Sequence, residues 1–357
     1  MIPVWVIALL AALGAVCLAL PLHIGMTGVC LLLLAAVLHI LKKGGVITAS
    51  EGNLAAYSTV WLLEAAAYCA VNCYALISGY VGYSDRPKPL RLARCIELWL
   101  QVVFYSVIIT TVYCIAGIGS VGVSDFADAF LPVTSKQYWY FTAYIGMFFF
   151  IPLLNALVRK LNRRALVSLC IMLIAVFSLY DTFASFWKKD PLALVGGHSP
   201  LWLGVLYIFG AAMKKLRVPE SMSSKKALLI YASAAVFTAL FKITGDRLLR
   251  FVPGSLFVRD TSPTVLLCAA ALLVAFARFK PGRKLTEFAV LFAPAAFGVY
   301  LLHVSPLVFE HVIGNRFAFI GRLPFPLIPF AVLASAGVIL AVGLAADKVR
   351  ILLFKAL

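Results

Sequence analysis

A chain of 357 residues that is 63% hydrophobic, only 13% charged and formally +17 lies outside the range of soluble domains. The basic excess alone would admit a nucleic-acid partner. The lysines and arginines, however, fall in turns between apolar runs, where the positive-inside rule puts them. Repeated apolar runs of helix-spanning length define an all-α polytopic membrane protein, and the alternating pattern of a β-barrel is missing.

The first run is 3–20 (PVWVIALLAALGAVCLAL). It has no basic leader and is read as a retained helix, not a signal peptide. Further runs lie near 28–41, 57–83, 91–117, 138–158, 165–182, 200–213, 227–243, 262–279, 286–312 and 324–346. Together they predict a bundle of about 10–11 transmembrane helices. No polar stretch is long enough for a second, soluble domain. No internal repeat, low-complexity linker or discontinuous Gly/Pro helix pair is evident.

Connections holding Arg86–Arg94, Arg159–Arg164, Lys214–Lys226, Arg278–Lys284 and Lys348–Lys355 carry most of the basic residues. That side is expected to be cytoplasmic, with the C-terminus on it. The opposite connections are mixed in sign, with Asp246, Arg247, Arg259 and Asp260 in one and Glu310, His311 and Arg316 in another. Such charges either solvate loop ends or line an entry for a polar acceptor. The eight cysteines mostly sit within apolar runs, as small hydrophobes do. None has zinc-ligand spacing with histidines, so no metal site is expected.

Phosphate-binding loops, dinucleotide fingerprints, HExxH and GxSxG are all missing from the sequence. Chemistry must rest on isolated polar groups within helices. His39 is one: an imidazole there acts as a general base toward a hydroxyl, or merely bonds a neighbouring helix. Glu64 is a carboxylate at membrane depth, which demands a partner or a function. Asn72 and Ser78 follow at about 80° and about 320° around the same helix, so Ser78 is nearer the face of Glu64. Both also suit helix-to-helix hydrogen bonding. Arg91 and Arg94 stand one turn apart at the basic mouth, spaced for phosphate groups or for membrane anchoring.

Five segments carry a resemblance: LHILKKGG (38–45), WLLEAAAYCAVNCYALISGY (61–80), LARCIELWLQVVFYSV (92–107), YWYFTAYIGMFFFIPLLNALV (138–158) and FGVYLLHVSPLV (297–308). In this order they are similar to the integral-membrane acyltransferase-3 family, the O-acyltransferases of bacterial surface glycans. The resemblance implies a multi-pass protein of the bacterial cytoplasmic membrane. It would move an acyl group, in most members acetyl, from acetyl-CoA inside to a hydroxyl of a cell-surface or lipid-linked glycan outside. No tightly bound cofactor is implied; the partners are acyl-CoA, the glycan, membrane lipids and other envelope-building proteins. By the same resemblance His39 is the essential histidine, assisted by Glu64 and Ser78. Arg91 and Arg94 hold the acyl-CoA phosphates. Asn72, Tyr144, Asn155 and His303 are candidates for the substrate site, and Tyr138 and Trp139 belong to the matching YW segment. The family-like domain is 28–357, and 1–27 is an additional apolar segment.

One position departs from the family's pattern. An arginine is expected eleven positions before the histidine, about three turns and ~16 Å away on one face, and this chain has Gly28 there. That departure keeps two other functions open: a non-enzymatic transporter or flippase on the same scaffold, and an inactive partner in a glycan-assembly complex.

Overall fold

A computed structural model describes residues 24–249, 252–279 and 282–356. The helix expected over 3–20 lies outside the described residues. Each of the other ten apolar runs is helical, and no strand occurs among the described residues.

The principal helices are α1 (Ile24–Lys42), α2 (Leu54–Ala67), α3 (Ala70–Gly82), α4 (Leu92–Ala116), α5 (Trp139–Phe148), α6 (Ile151–Lys160) and α7 (Arg163–Ile174). They continue with α8 (Pro200–Lys215), α9 (Ser224–Arg247), α10 (Pro263–Ala277), α11 (Arg283–Phe292), α12 (Ala296–Val304) and α13 (Ile328–Ala356). Many starts are written locally. Asn53, Asn162, Ser199, Ser223 and Ser262 each accept a hydrogen bond from a first-turn backbone N–H. Pro200 and Pro263 follow two of these caps directly, where a missing N–H costs nothing.

Five stretches are long and apolar enough to cross a bilayer: Leu54–Gly82, Leu92–Ala116, Arg163–Phe186, Ser224–Arg247 and Ile328–Phe354. Two bent pairs raise the number to seven among the described residues. Trp139–Phe148 meets Ile151–Lys160 at 57°, and Val290–Val304 meets Pro306–Ile313 at 57°. The sequence reading expected no broken helices, so this is a correction. Its physical cause is proline. Pro152 and Pro306 open the second half of each pair, and Ser305 is pushed to ψ 132 ahead of Pro306. The remaining apolar runs are short: α8 and α10 rise only about 22–24 Å, less than a hydrocarbon core of roughly 30 Å.

The stretch formed by α2 and α3 is the centre of the bundle. Its apolar window is 78% buried, against 28–33% for the other four spans. α3 crosses α8 with almost no space between backbones. A Cβ placed on Gly79 would land on the Tyr207 carbonyl, and one on Gly210 would land on the Leu76 carbonyl. Small residues at such crossings are how membrane helices approach closely. Exposed Ile108 and Val112 on α4, Ile171 beside them in sequence order on α7, Phe237 on α9 and Val338 on α13 give those helices apolar outer faces fit for lipid. The chain is therefore an all-α, multi-pass membrane protein.

Candidate functional site

His39 sits in the last turn of α1 and forms part of the wall of a 290 Å³ cavity. The other walls come from α3, α5 and the segment from Ala293 through α12, among them Tyr74, Tyr140, Ala296 and Tyr300. Leu32, Ala35, Leu38 and His39 recur at near-helical spacing, so a single face of α1 supplies its share.

The imidazole of His39 stands 5.1 Å from that of His303, centroid to centroid, and meets Phe309 edge-on at 4.9 Å. Its Nδ1 is buried with no hydrogen-bond partner. His303 is 4% exposed, and its Nδ1 lies 2.7 Å from the Val299 carbonyl. In the neutral ring that contact requires the proton on Nδ1, which makes Nε2 an acceptor. That Nε2 is also buried and unpartnered, while the Tyr300 hydroxyl lies near the backbone N–H groups of Tyr140 and Phe141 without a well-formed bond. Unpaired buried polar atoms cost about 1–3 kcal/mol each, so the unpartnered nitrogens of the two adjacent imidazoles mark the His39 end of the cavity as a place for a polar group. Glu64, on the next helix, is 2% exposed, and its Oε2 has no partner. α1 and α2 pack against each other, so Glu64 and His39 lie on neighbouring helices.

The remaining candidates are spread along the bundle. Ser78 is half-buried on α3, about 21 Å along the helical rise from Glu64. Asn72 is fully buried and already occupied: its Nδ2 donates to the Asp260 carbonyl at 2.7 Å, and its Oδ1 accepts from Trp202 Nε1 at 3.1 Å. Asn155 likewise links Gly82 to the Tyr207 hydroxyl, at 3.4 and 3.3 Å. Tyr144 stacks on Tyr140 at 6.4 Å. Tyr138 is buried and donates to the Leu301 carbonyl at 3.2 Å, while Trp139 lines the cavity.

Arg91 and Arg94 follow the Gly82 end of α3, whose Val71 and Tyr74 line the cavity beside His39 about 12–17 Å back along the helical rise. Arg91 is the N-cap of α4 and makes no side-chain cap bond. Arg94 pairs with Glu97 at 2.9 Å, with both side chains more than 60% exposed. Such an exposed pair contributes little and is readily exchanged for another anion. Gly28 belongs to the described backbone of α1.

Sequence reasoning passed over a second histidine, His198. Its Nε2 lies 3.2 Å from Asp260 Oδ2, and its ring stacks on Trp139 at 3.9 Å. Asp260 had been read only as a loop charge, yet it is 4% exposed. Buried Asp181 accepts from the Thr261 hydroxyl at 2.6 Å and lies 3.5 Å from Arg259. Asp347, fully buried on α13, accepts from Arg350 and from the Tyr105 hydroxyl. A signal for this last cluster was present, since an Asp and an Arg at i, i+3 within an apolar helix announce a pair. The partners of His198 and Asp181 come from distant loops and left no local pattern.

The site is thus His39 on the wall of an apolar cavity, backed by a second buried histidine, within a helical membrane bundle. A family model described as an acyltransferase domain, the acyltransferase-3 family, matches residues 28–346, and the chain belongs to that family. No curated protein and no solved structure matches the chain significantly.

Proposed function

We propose that this protein is a membrane O-acyltransferase that moves an acyl group from acyl-CoA to a hydroxyl of a surface or lipid-linked glycan. Membership of the acyltransferase-3 family supports the class of reaction. The observation that carries the mechanism is His39, with an unpartnered buried nitrogen, on the wall of a cavity that also exposes the neighbourhood of His303 and Tyr300.

In this reading neutral His39 takes the proton of the acceptor hydroxyl as its oxygen attacks the thioester carbonyl. The tetrahedral intermediate then collapses. The carbon–sulfur bond breaks, the thiolate leaves and receives the proton from His39, and the products are an ester and free CoA. His303, held by Val299, steadies the imidazolium that forms briefly beside it. The first turn of α5 has no side-chain cap, and the Tyr140 and Phe141 N–H groups, which lie against the Tyr300 hydroxyl, would favour the developing oxyanion with it. Arg91 and Arg94, with the uncapped start of α4, would hold the CoA phosphates beyond the Gly82 end of α3. Glu64, buried on the helix packed against α1, would bear on the charge balance near His39. Asn72, Tyr144 and Asn155 shape the site by joining helices. Ser78 is given no chemical step, because it does not line the cavity.

The membrane is taken to be the bacterial cytoplasmic membrane, with the Arg91 face inside. A transporter on the same scaffold is the second reading. It is favoured by the two broken helices, a device of carriers whose backbone lines a pathway.

The test is release of CoA from acetyl-CoA and longer acyl-CoAs by the purified protein with a sugar acceptor. Wild type is expected to turn over. His39→Ala is expected to lose about 10²–10⁴-fold, the usual worth of a general base. Acceptor uptake into vesicles without any acyl-CoA would favour the transporter.

A further inference from the structure

The cavity beside His39 is poorly suited to most of an acyl-CoA. The pantetheine arm brings amide groups and a sugar brings hydroxyls, each of which costs about 1–3 kcal/mol or more when buried without a partner. Apart from His39, Trp139 and three tyrosines, all side chains lining the cavity are hydrocarbon. Its room comes from small residues: Ala35 on α1 faces space that Ala293 and Ala296 leave open on the other side. Away from the polar atoms at its His39 end, a cavity walled in this way takes hydrocarbon. At 290 Å³ it is about twice the volume of one that accommodates benzene, enough for a chain of roughly six to ten carbons. An acetyl methyl would leave most of it empty.

A second apolar hollow, of 410 Å³ between Leu154, Phe177 and Leu201, provides a contrast. It is lined by no histidine, tyrosine or charged side chain, so nothing there connects it to a reacting group. Only the first hollow shares its wall with His39.

We infer that the cavity bounded by His39, Ala35 and Ala296 is the binding site for the hydrocarbon chain of the donor, and that the group transferred is a medium-length acyl chain, longer than acetyl. The inference rests on the acyltransferase reading and narrows its substrate class. The chemistry is unchanged: the hydroxyl oxygen gains the acyl carbon, sulfur leaves, and the proton passes to CoA.

The experiment compares acetyl-, butyryl-, hexanoyl-, octanoyl- and palmitoyl-CoA with the full-length protein in a chain-free detergent, in the presence of sugar acceptor. Each added methylene is expected to raise kcat/KM about fourfold until the cavity is full, then to stop helping, from ~0.8 kcal/mol per buried CH₂. Ala296→Phe should move the optimum to shorter chains by filling the space. The milder Ala35→Val and Ala296→Val variants should do so in smaller steps, and they keep the test valid if the phenylalanine variant does not fold. A wild-type preference for acetyl-CoA, with a profile unmoved by all three variants, would overturn the inference. So would a profile unmoved while Ala296→Phe expels a co-purifying phospholipid, because the hydrocarbon would then be a lipid tail. Failure with every acyl-CoA would instead remove the acyltransferase reading on which the inference depends.

Discussion

At the scale of single residues, His39 is distinguished by what it lacks. A buried imidazole nitrogen with no partner is costly, and in the acyltransferase reading proposed above this one, 5.1 Å from a second ring, serves as the proton acceptor. His303→Gln keeps size and polarity and is expected to reduce turnover by about tenfold or more through kcat, with KM for acyl-CoA little changed. A rate profile against pH would register the change, because a merely structural histidine would lower yield without moving the basic limb. The Arg91→Gln/Arg94→Gln double variant should instead weaken acyl-CoA binding, on the order of tenfold per arginine (~1.4 kcal/mol). Isothermal titration would read it, and unchanged affinity would return the pair to membrane anchoring. The sequence made His39 and Glu64 visible, since a lone polar group in an apolar helix demands explanation. It could not show that Asn72 is already engaged, because its partner Asp260 lies 188 positions away. Gly28, for its part, adds no charge to α1, and the group nearest to His39 in kind is His303 on another helix.

Among elements, the α3–α8 crossing fixes the frame on which the cavity is built. Gly79 and Gly210 touch the opposing backbone, so any added side chain must force the helices apart. Gly210→Val is expected to destabilise the protein by about 1–3 kcal/mol or more, as overpacking does, and thermal unfolding in detergent would measure it. An unchanged melting temperature would mean that the crossing is looser than described. Helix existence was legible here from apolar runs, and several starts were legible from Asn and Ser caps. The bends were less so. Pro152 and Pro306 were in view, but a proline near the start of a helix reads as an ordinary N-terminus until the preceding helix is seen to meet it at 57°. The outer cluster of His198, Asp260 and Trp139 was illegible for a related reason: loops, not helix periodicity, assemble it.

On the scale of the whole molecule, Arg91 and Arg94 follow the Gly82 end of α3, and the cavity wall formed by Val71, Tyr74 and His39 lies about 12–17 Å back from that end by helical rise, within reach of an extended pantetheine arm. The positive-inside rule predicts that the loop at Arg283–Lys284 and the C-terminus face the cytoplasm and Asp246 the outside. Single cysteines introduced at Lys284 and Asp246 should therefore be labelled from opposite sides of sealed vesicles by an impermeant maleimide, and labelling from one side would refute that topology. The multi-pass helical class was fully legible from composition, because no soluble fold tolerates so many apolar runs. The direction of transfer follows only if donor and acceptor meet at His39 from opposite faces. The most direct measurement is transfer of labelled acyl groups in vesicles containing the purified protein, with acyl-CoA supplied only at the Arg91 face and sugar acceptor only at the other. The account predicts labelled acceptor with wild type and at least about a hundredfold less with His39→Ala. Equal labelling by the two proteins, or acceptor crossing the membrane unlabelled without acyl-CoA, would contradict it.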